Sequence, residues 1–430
     1  MGGQLKIGKW FALRGPAFVR QRLAALLQRY SITSAKAMNR INDCTETLAG
    51  LGCAPTFPTP GIVVQRYPQF IRHLQDAGAE ITVHSYQHID LSALPVPAAR
   101  QQLMRAIQTF ERFGIEVHGF RCPYLGYSTE LLNSLPAGMF DYSSNEAIYW
   151  EPANSSAKGS RFYEILCQFY KGKPASDTVC LPSTRFNLIE IPVCVPDDLQ
   201  LHDGLQLGPE GIGQVWGQML DQIHQRGELF TLMFHPELAS FCENPFVSLL
   251  RKASQFHPPV WIARLRDISE WWREKSGFKV ESLEIPTGLR LSFTCSQRAT
   301  VLVRGLGPSE SGHVWNEKYY CLPSRALDVP ADPRPFVGLP ASAPGPVVSF
   351  LQEQGYIVDM ANTATRCAIY LDVATLDRMT QVQLVNHIEA LPGPLVRYWR
   401  WPNGVGCAMC VTGDLDALTL LDYASRLFVR

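Results

Sequence analysis

The sequence predicts an α/β protein built on a parallel sheet or barrel, with a smaller β-rich α+β module ahead of its C-terminal strand. Three observations carry this. Strand-like and helix-like segments alternate through about residue 275, the pattern of successive parallel βα units. Short alternating segments and a proline-rich stretch then replace that rhythm. Finally, Cys407 to Val411 is a fully apolar run that reads as one more buried strand.

A chain of 430 residues exceeds one ordinary core. It divides by pattern into a barrel over 1–275, a module over 276–395 and a completing strand over 396–430. With 46% hydrophobic and 18% charged residues it has the composition of a packed globular protein, and its zero formal net charge argues against a nucleic-acid partner. Charge is uneven all the same. The first 42 residues hold eight Lys or Arg (Lys6, Lys9, Arg14, Arg20, Arg22, Arg29, Lys36, Arg40) and no acid. With Trp10, Phe11, Phe18, Leu23, Leu26 and Leu27 interleaved, this segment reads in two ways. One is a helix packing its leucines on the core, the other a peripheral contact with an anionic membrane surface. No apolar run approaches the ~18 residues of a membrane span, and residues 1–16 lack the apolar stretch of a secretory signal. Twelve cysteines without paired metal spacing suggest reduced thiols and a cytoplasmic setting; Cys407-x-x-Cys410 lies within the apolar strand.

Along the chain, helices are expected at Arg20–Tyr30, Lys36–Leu51, Pro68–Ala77, Ala98–Phe113, Ile212–Arg226 and Val260–Lys275, several stopped by a glycine. Strands are expected at Ala54–Phe57, Ala79–Val83, Val117–Phe120, Glu190–Val195 and Leu229–Phe234. After residue 275, Val280–Ile285, Leu289–Cys295 and Thr300–Val303 read as antiparallel strands, and the prolines from Pro330 to Pro346 as linker. Pro346–Gly355 and Gln381–Leu391 then read as helices and Cys367–Val373 as a strand.

Reactive side chains fall just after these strands: His84, Arg121, His235, Asp414 and Asp416. In parallel α/β folds the carboxyl ends of the strands share one face, where sites are built. His84 and His88, four apart, can reach one ion from a single helical turn. The alternatives are structural: a surface salt bridge for Arg121, a backbone-bonded buried histidine for His235. Asp414 and Asp416 have theirs as caps of a helix over Ala417–Phe428.

As an ordered set these segments resemble the polysaccharide deacetylases with a NodB-type domain, a distorted parallel (β/α) barrel, over about residues 40–275. His84-Ser85-Tyr86-Gln87-His88 is similar to the metal motif H-[ST]-x-x-H, and Arg121-Cys122-Pro123-Tyr124 to R-x-P-[YF]. Leu232 to Pro236 resembles the late leucine-histidine motif, and Ala54 to Pro58 the alanine-threonine-phenylalanine strand. The family's opening aspartate motif is missing from residues 1–53. Val411-Thr412-Gly413-Asp414-Leu415-Asp416 looks like that piece, moved to the other end by circular permutation. Its Asp-x-Asp spacing resembles the branch acting on lipid-linked aminosugars.

The resemblance implies a divalent metal, Zn by preference, held by His84, His88 and Asp416. It implies Asp414 as base, Arg121 as its orienting partner, His235 as acid and the backbone N–H of Tyr124 as oxyanion donor. A carbohydrate or glycolipid would be the substrate and an acetyl group the leaving acyl. Pro196-Asp197-Asp198 reads as a loop turn, with contact between its acids and substrate hydroxyls as the alternative. Two other functions stay open: a glycan-binding scaffold with a decayed site, and an amidase for a non-sugar amide.

Overall fold

The computed structural model of the chain describes residues 30, 32–151, 168–306, 312–360 and 366–425. The basic segment up to Arg29, including the expected Arg20–Tyr30 helix except for Tyr30, lies outside them. Among the described residues no helix is long and apolar enough to cross a membrane.

The strands of the main sheet are β1 (Thr56–Thr59), β2 (Glu80–Val83), β3 (Gly119–Phe120), β4 (Tyr142–Ser143), β5 (Ala147–Tyr149), β6 (Leu188–Glu190), β7 (Val193–Val195), β8 (Leu229–Phe234), β9 (Val260–Ile262) and β10 (Cys407–Gly413). Their spatial order is β5-β7-β8-β10-β1-β2-β3-β4-β6, with β9 also paired to β10 and a two- or three-residue strand at each margin. All pairs along that path are parallel. The result is a curled, mostly parallel half-barrel.

Curling follows from connectivity. The chain passes from β4 to β5, at opposite margins of the sheet, through Ser144, Asn145 and Glu146 alone, and from β6 to β7 through Ile191 and Pro192. Links that short bring the two margins together. The buried Glu190 carboxylate closes the seam by accepting from the backbone N–H groups of Asn145 (2.6 Å) and Glu146 (2.8 Å). Here the expected single strand Glu190–Val195 is corrected to two, because Pro192 has no N–H to give a ladder.

Helices pad the sheet. In α1 (Ser34–Gly50), Ile41, Cys44, Thr45 and Leu48 are buried at i, i+3, i+4 and i+7, one apolar face. In α2 (Val96–Arg112), Ala99, Leu103, Ala106 and Phe110 repeat the pattern. The helix α3 (Pro209–Arg226) ends where Gly227 turns left-handed at φ 66°. The expected helix Val260–Lys275 is corrected: Val260–Ile262 is β9, and the helix α4 (Leu265–Ser276) starts only after an Arg264–Asp267 capping box.

Beyond residue 276, three smaller sheets follow. The antiparallel hairpin Lys279–Ile285 with Gly288–Thr294 matches the alternating pattern. The expected proline linker is in part a buried strand, Arg334–Leu339, central in a three-stranded parallel sheet. Pro335 is tolerated there because the register shifts between Arg334 and Val337, a bulge that spares a ladder donor. Leu395–Tyr398 pairs antiparallel with Val301–Arg304.

The strand β10 joins the two parts. Cys407, Met409 and Val411 enter the core formed with α1, α2 and α3, while Ala408 and Cys410 pack with Trp271, Trp272, Leu302, Val337, Trp399 and Trp401. Alternation along a strand sends neighbours to opposite faces, so Cys407 and Cys410 part company. Burial pushes the Cys407 thiol up to about 12, as befits cysteine used as a small apolar residue.

Candidate active site

Six neighbouring strand ends, those of β8, β10, β1, β2, β3 and β4, line one edge of the barrel. Each chain leaves its strand bonded to the one beside it: Asp414 N–H donates to Phe234 O (3.0 Å), His84 to Thr59 (3.0 Å), Arg121 to Val83 (2.8 Å) and Ser144 to Phe120 (3.0 Å). Parallel register thus sets His235, Asp414, His84, Arg121 and Ser144 side by side at the carboxyl edge.

His84 and His88 do come together, their ring centroids 5.0 Å apart. The expected shared helical turn is not how. Residues 84–88 form a bend with Ser85 at φ 64°, tied to the main chain by donations from Gly61 N–H to Ser85 O and Ile62 N–H to Tyr86 O, each 2.9 Å. Immediate exit from β2 leaves no room for a helix, and the left-handed kink brings the second imidazole back over the first.

Asp416 faces both rings. Its Oδ1 lies 3.1 Å from His88 Nε2 and 3.4 Å from His84 Nε2. The Asp-x-Asp spacing explains this. Leu415 between them, 1% exposed, turns into the core while both carboxylates face His84. Asp416 N–H then donates to Asp414 O at 2.9 Å, tightening the turn. Gly413 precedes it because a Cβ there would lie 2.8 Å from the Phe234 ring and 2.9 Å from the Phe57 ring. Neither aspartate caps the helix that follows. Among the described residues it runs Leu420–Ser425, and Asp422 accepts the Thr419 N–H at 3.0 Å instead.

These three residues fit a divalent ion. Their ligand atoms all lie within 4.8 Å of one another. Donors at ~2.0–2.2 Å from one tetrahedral ion sit about 3.4 Å apart, close to the spacings observed. His84 Nδ1 is 2.8 Å from the Arg121 carbonyl, which can only accept, so that nitrogen carries the proton and Nε2 presents a lone pair. That buried Nε2 has no hydrogen-bond partner.

Arg121 is fully buried and fully engaged. Its Nη1 donates to Asp414 Oδ1 (2.7 Å) and Thr412 Oγ1 (2.9 Å), and its Nε and Nη2 to the backbone and side-chain oxygens of Ser144. The surface salt-bridge alternative is therefore excluded. The other Asp414 oxygen lies 3.8 Å from His84 Nε2, so the carboxylate spans from guanidinium to imidazole.

His235 is held by Asp198, whose Oδ1 is 2.8 Å from His235 Nδ1 while Oδ2 accepts the His235 backbone N–H at 2.7 Å. Burial works against the imidazolium, but the negative charges of Asp198, Glu237 and Asp197 outweigh it and raise the His235 pKa well above the ordinary histidine value. Asp197, also fully buried, accepts from Tyr170 Oη at 2.8 Å. Tyr124 sits in a left-handed turn (φ 59°, ψ 17°) and sets its ring against His88, centroids 4.7 Å apart at 73°.

Asp197 and Asp198 were read from sequence as part of a loop turn, and Thr412, Ser144 and Tyr170 were given no role there. A usable signal existed for the acidic pair: Asp197-Asp198 follows a strand at the same edge as the others, yet its neighbour Pro196 invites a turn. Asp197, Asp198 and His235 form a second group able to hold an ion. With His235 Nδ1 already facing Asp198, a positioning role is the simpler account.

Residues 38–138 match the family model described as polysaccharide deacetylase, a span that contains His84, His88, Arg121 and Tyr124 and ends before His235 and Asp414. Solved structures similar to this chain include a candidate polysaccharide deacetylase from Mycobacterium smegmatis, 20% identical over 59% of this chain and 82% of that one, TM-score 0.44. The allantoinase PuuE is 18% identical over 55% and 72%, TM-score 0.40. The peptidoglycan deacetylase PdaC from Bacillus subtilis is 17% identical over 56% and 88%, TM-score 0.31. No curated protein matches the sequence.

Proposed function

We propose, taking the polysaccharide deacetylase match of residues 38–138 as the premise, that this chain is a metal-dependent hydrolase removing an acetyl or similar acyl group from an N-acetylated glycan or lipid-linked aminosugar. The observation that carries the reading is the meeting of His84, His88 and Asp416 beside the Arg121–Asp414 pair at one sheet edge. In this reading the chain is circularly permuted, and β10, supplied last, takes the place of the strand that opens the usual domain. Zinc is the proposed ion, from the imidazole and carboxylate donors.

A divalent ion bound there supplies Lewis acidity, activating water and polarising the acyl carbonyl. The residues do the rest. Asp414 takes the proton of the attacking water, oriented by the Arg121 guanidinium at 2.7 Å. The Tyr124 backbone N–H, in its left-handed turn, stabilises the oxyanion. His235, protonated through Asp198, gives its proton to the departing amine. The buried, satisfied Arg121 favours catalysis over a decayed binding site.

The purified protein is expected to release acetate from an N-acetylglucosamine oligomer, to lose that activity to a chelator and to regain it on adding a divalent metal. Absence of acetate release from N-acetylated glycans with metal present overturns the reading.

Asp198→Asn gives a second expectation. His235 donates only when protonated, so activity falls as pH rises through its pKa. Removing the Asp198 charge leaves only Glu237 and Asp197 to oppose burial, which lowers that pKa, so the alkaline limb of the kcat profile moves to lower pH. The rate above neutrality drops by about 10²-fold, the lower range for a positioned acid. An unchanged alkaline limb would remove His235 from the acid's role.

A further inference from the structure

Aromatic rings continue outward from the metal-ligand candidates. The ring of Tyr124 packs on His88, and Phe169 packs against Tyr124 (centroids 6.2 Å apart, 85°) and against Tyr170 (5.0 Å, 73°). Tyr170 belongs to the site as well. Its hydroxyl donates to Asp197, and burial together with that carboxylate's charge raises its pKa well above the ordinary tyrosine value, keeping it a donor. Its ring packs with Tyr149 on a small apolar cluster of Leu125, Ala147, Val193, Val195 and Met233.

Phe169 differs from these rings in one respect: it is 56% exposed. Isolated exposed apolar residues need no explanation. Phe169 is not isolated, since two edge contacts fix its ring beside Tyr124 and Tyr170 while leaving much of its surface to solvent. An open ring set against Tyr124 and Tyr170, beside the polar candidate site, offers apolar contact next to hydrogen-bonding groups, the pairing that binds amphipathic ligands. A pyranose is such a ligand, with C–H groups on its faces and hydroxyls around its rim.

We infer that Phe169 is the platform on which a pyranose ring of the glycan rests, next to the sugar whose acyl group is removed, so that this residue sets preference for oligosaccharides over single acylated sugars. The inference rests on the deacetylase reading above. Phe169 contributes binding without touching the reacting atoms, so its loss weakens KM and spares kcat.

The test uses the metal-loaded full chain with an N-acetylglucosamine tetramer and with a small aryl acetate. Phe169→Ala is expected to raise KM for the tetramer about tenfold, with kcat and aryl acetate turnover held within about twofold; Phe169→Trp restores the tetramer KM. Calorimetry with a glucosamine tetramer, which has no acyl group to lose, separates platform from chemistry. Weakened binding in Phe169→Ala alongside wild-type binding in Phe169→Trp supports the platform even where no acetate is released, an outcome that by itself defeats the deacetylase reading. Equal binding of the glucosamine tetramer by wild type and Phe169→Ala overturns the platform, as does failure of the wild type to bind it. A KM increase equal for tetramer and aryl acetate also overturns it, pointing to a damaged site.

Discussion

Asp416→Ala is expected to leave the purified protein without stoichiometric metal and without measurable acyl release. The carboxylate oxygen stands 3.1 and 3.4 Å from the two imidazole nitrogens and is the sole anionic member of that group. Two neutral imidazoles alone make a weak site. Outer partners of metal ligands are worth about 10–100-fold in affinity, and a direct anionic ligand exceeds that. Elemental analysis and calorimetric titration with Zn²⁺ read the effect. Wild-type metal affinity in the variant would sink the proposed coordination, and with it the role given to β10. Thermal unfolding of variant and wild type stripped of metal should agree closely, since Asp416 lies after the end of β10 and outside the apolar core clusters.

Asp414→Asn is expected to keep its metal yet lose kcat by about 10²–10⁴-fold, the span of a positioned base. The amide keeps the shape and can still accept from Arg121, but it cannot take a proton. This variant carries a second cost. Arg121 is wholly buried and pairs with Asp414 at 2.7 Å, so neutralising the carboxylate leaves an uncompensated cation. Breaking a buried pair this way costs about 3–5 kcal/mol, and urea denaturation should show a loss of that order. Retained kcat would move the base elsewhere; unchanged stability would mean that the Thr412 and Ser144 oxygens suffice for the guanidinium.

Both expectations turn on residues legible in the sequence, while their grouping was only partly so. His84, Arg121, His235 and Asp414 could be picked out because each comes just after a segment that reads as a strand, and the carboxyl edge of a parallel sheet is a physical address. Leu229–Phe234 and the helix stop at Gly227 were equally plain, for their signals are local. Val260–Ile262 was mistaken for helix because its strand character comes from pairing with Cys407–Met409, far along the chain. The buried strand through Pro335 was missed for a similar reason: a bulge, which composition does not announce, makes proline acceptable. The pairing of Asp198 with His235 escaped notice because an acid after proline looks like a turn until a histidine is set 2.8 Å away.

By itself, then, the sequence determined the alternating α/β class, the carboxyl ends of β2, β3 and β8, and the residue types gathered at the candidate site. Only the tertiary structure decided that Asp416 meets His84 and His88, that Asp198 stands behind His235, and that Phe169 opens beside Tyr124. Hydrophobic period and turn residues act over a few neighbours and are written locally. Which strands lie side by side depends on burying the whole sheet at once. The Thr56–Thr412 pairing that brings β10 against β1 exists only when both core faces of that last strand are covered.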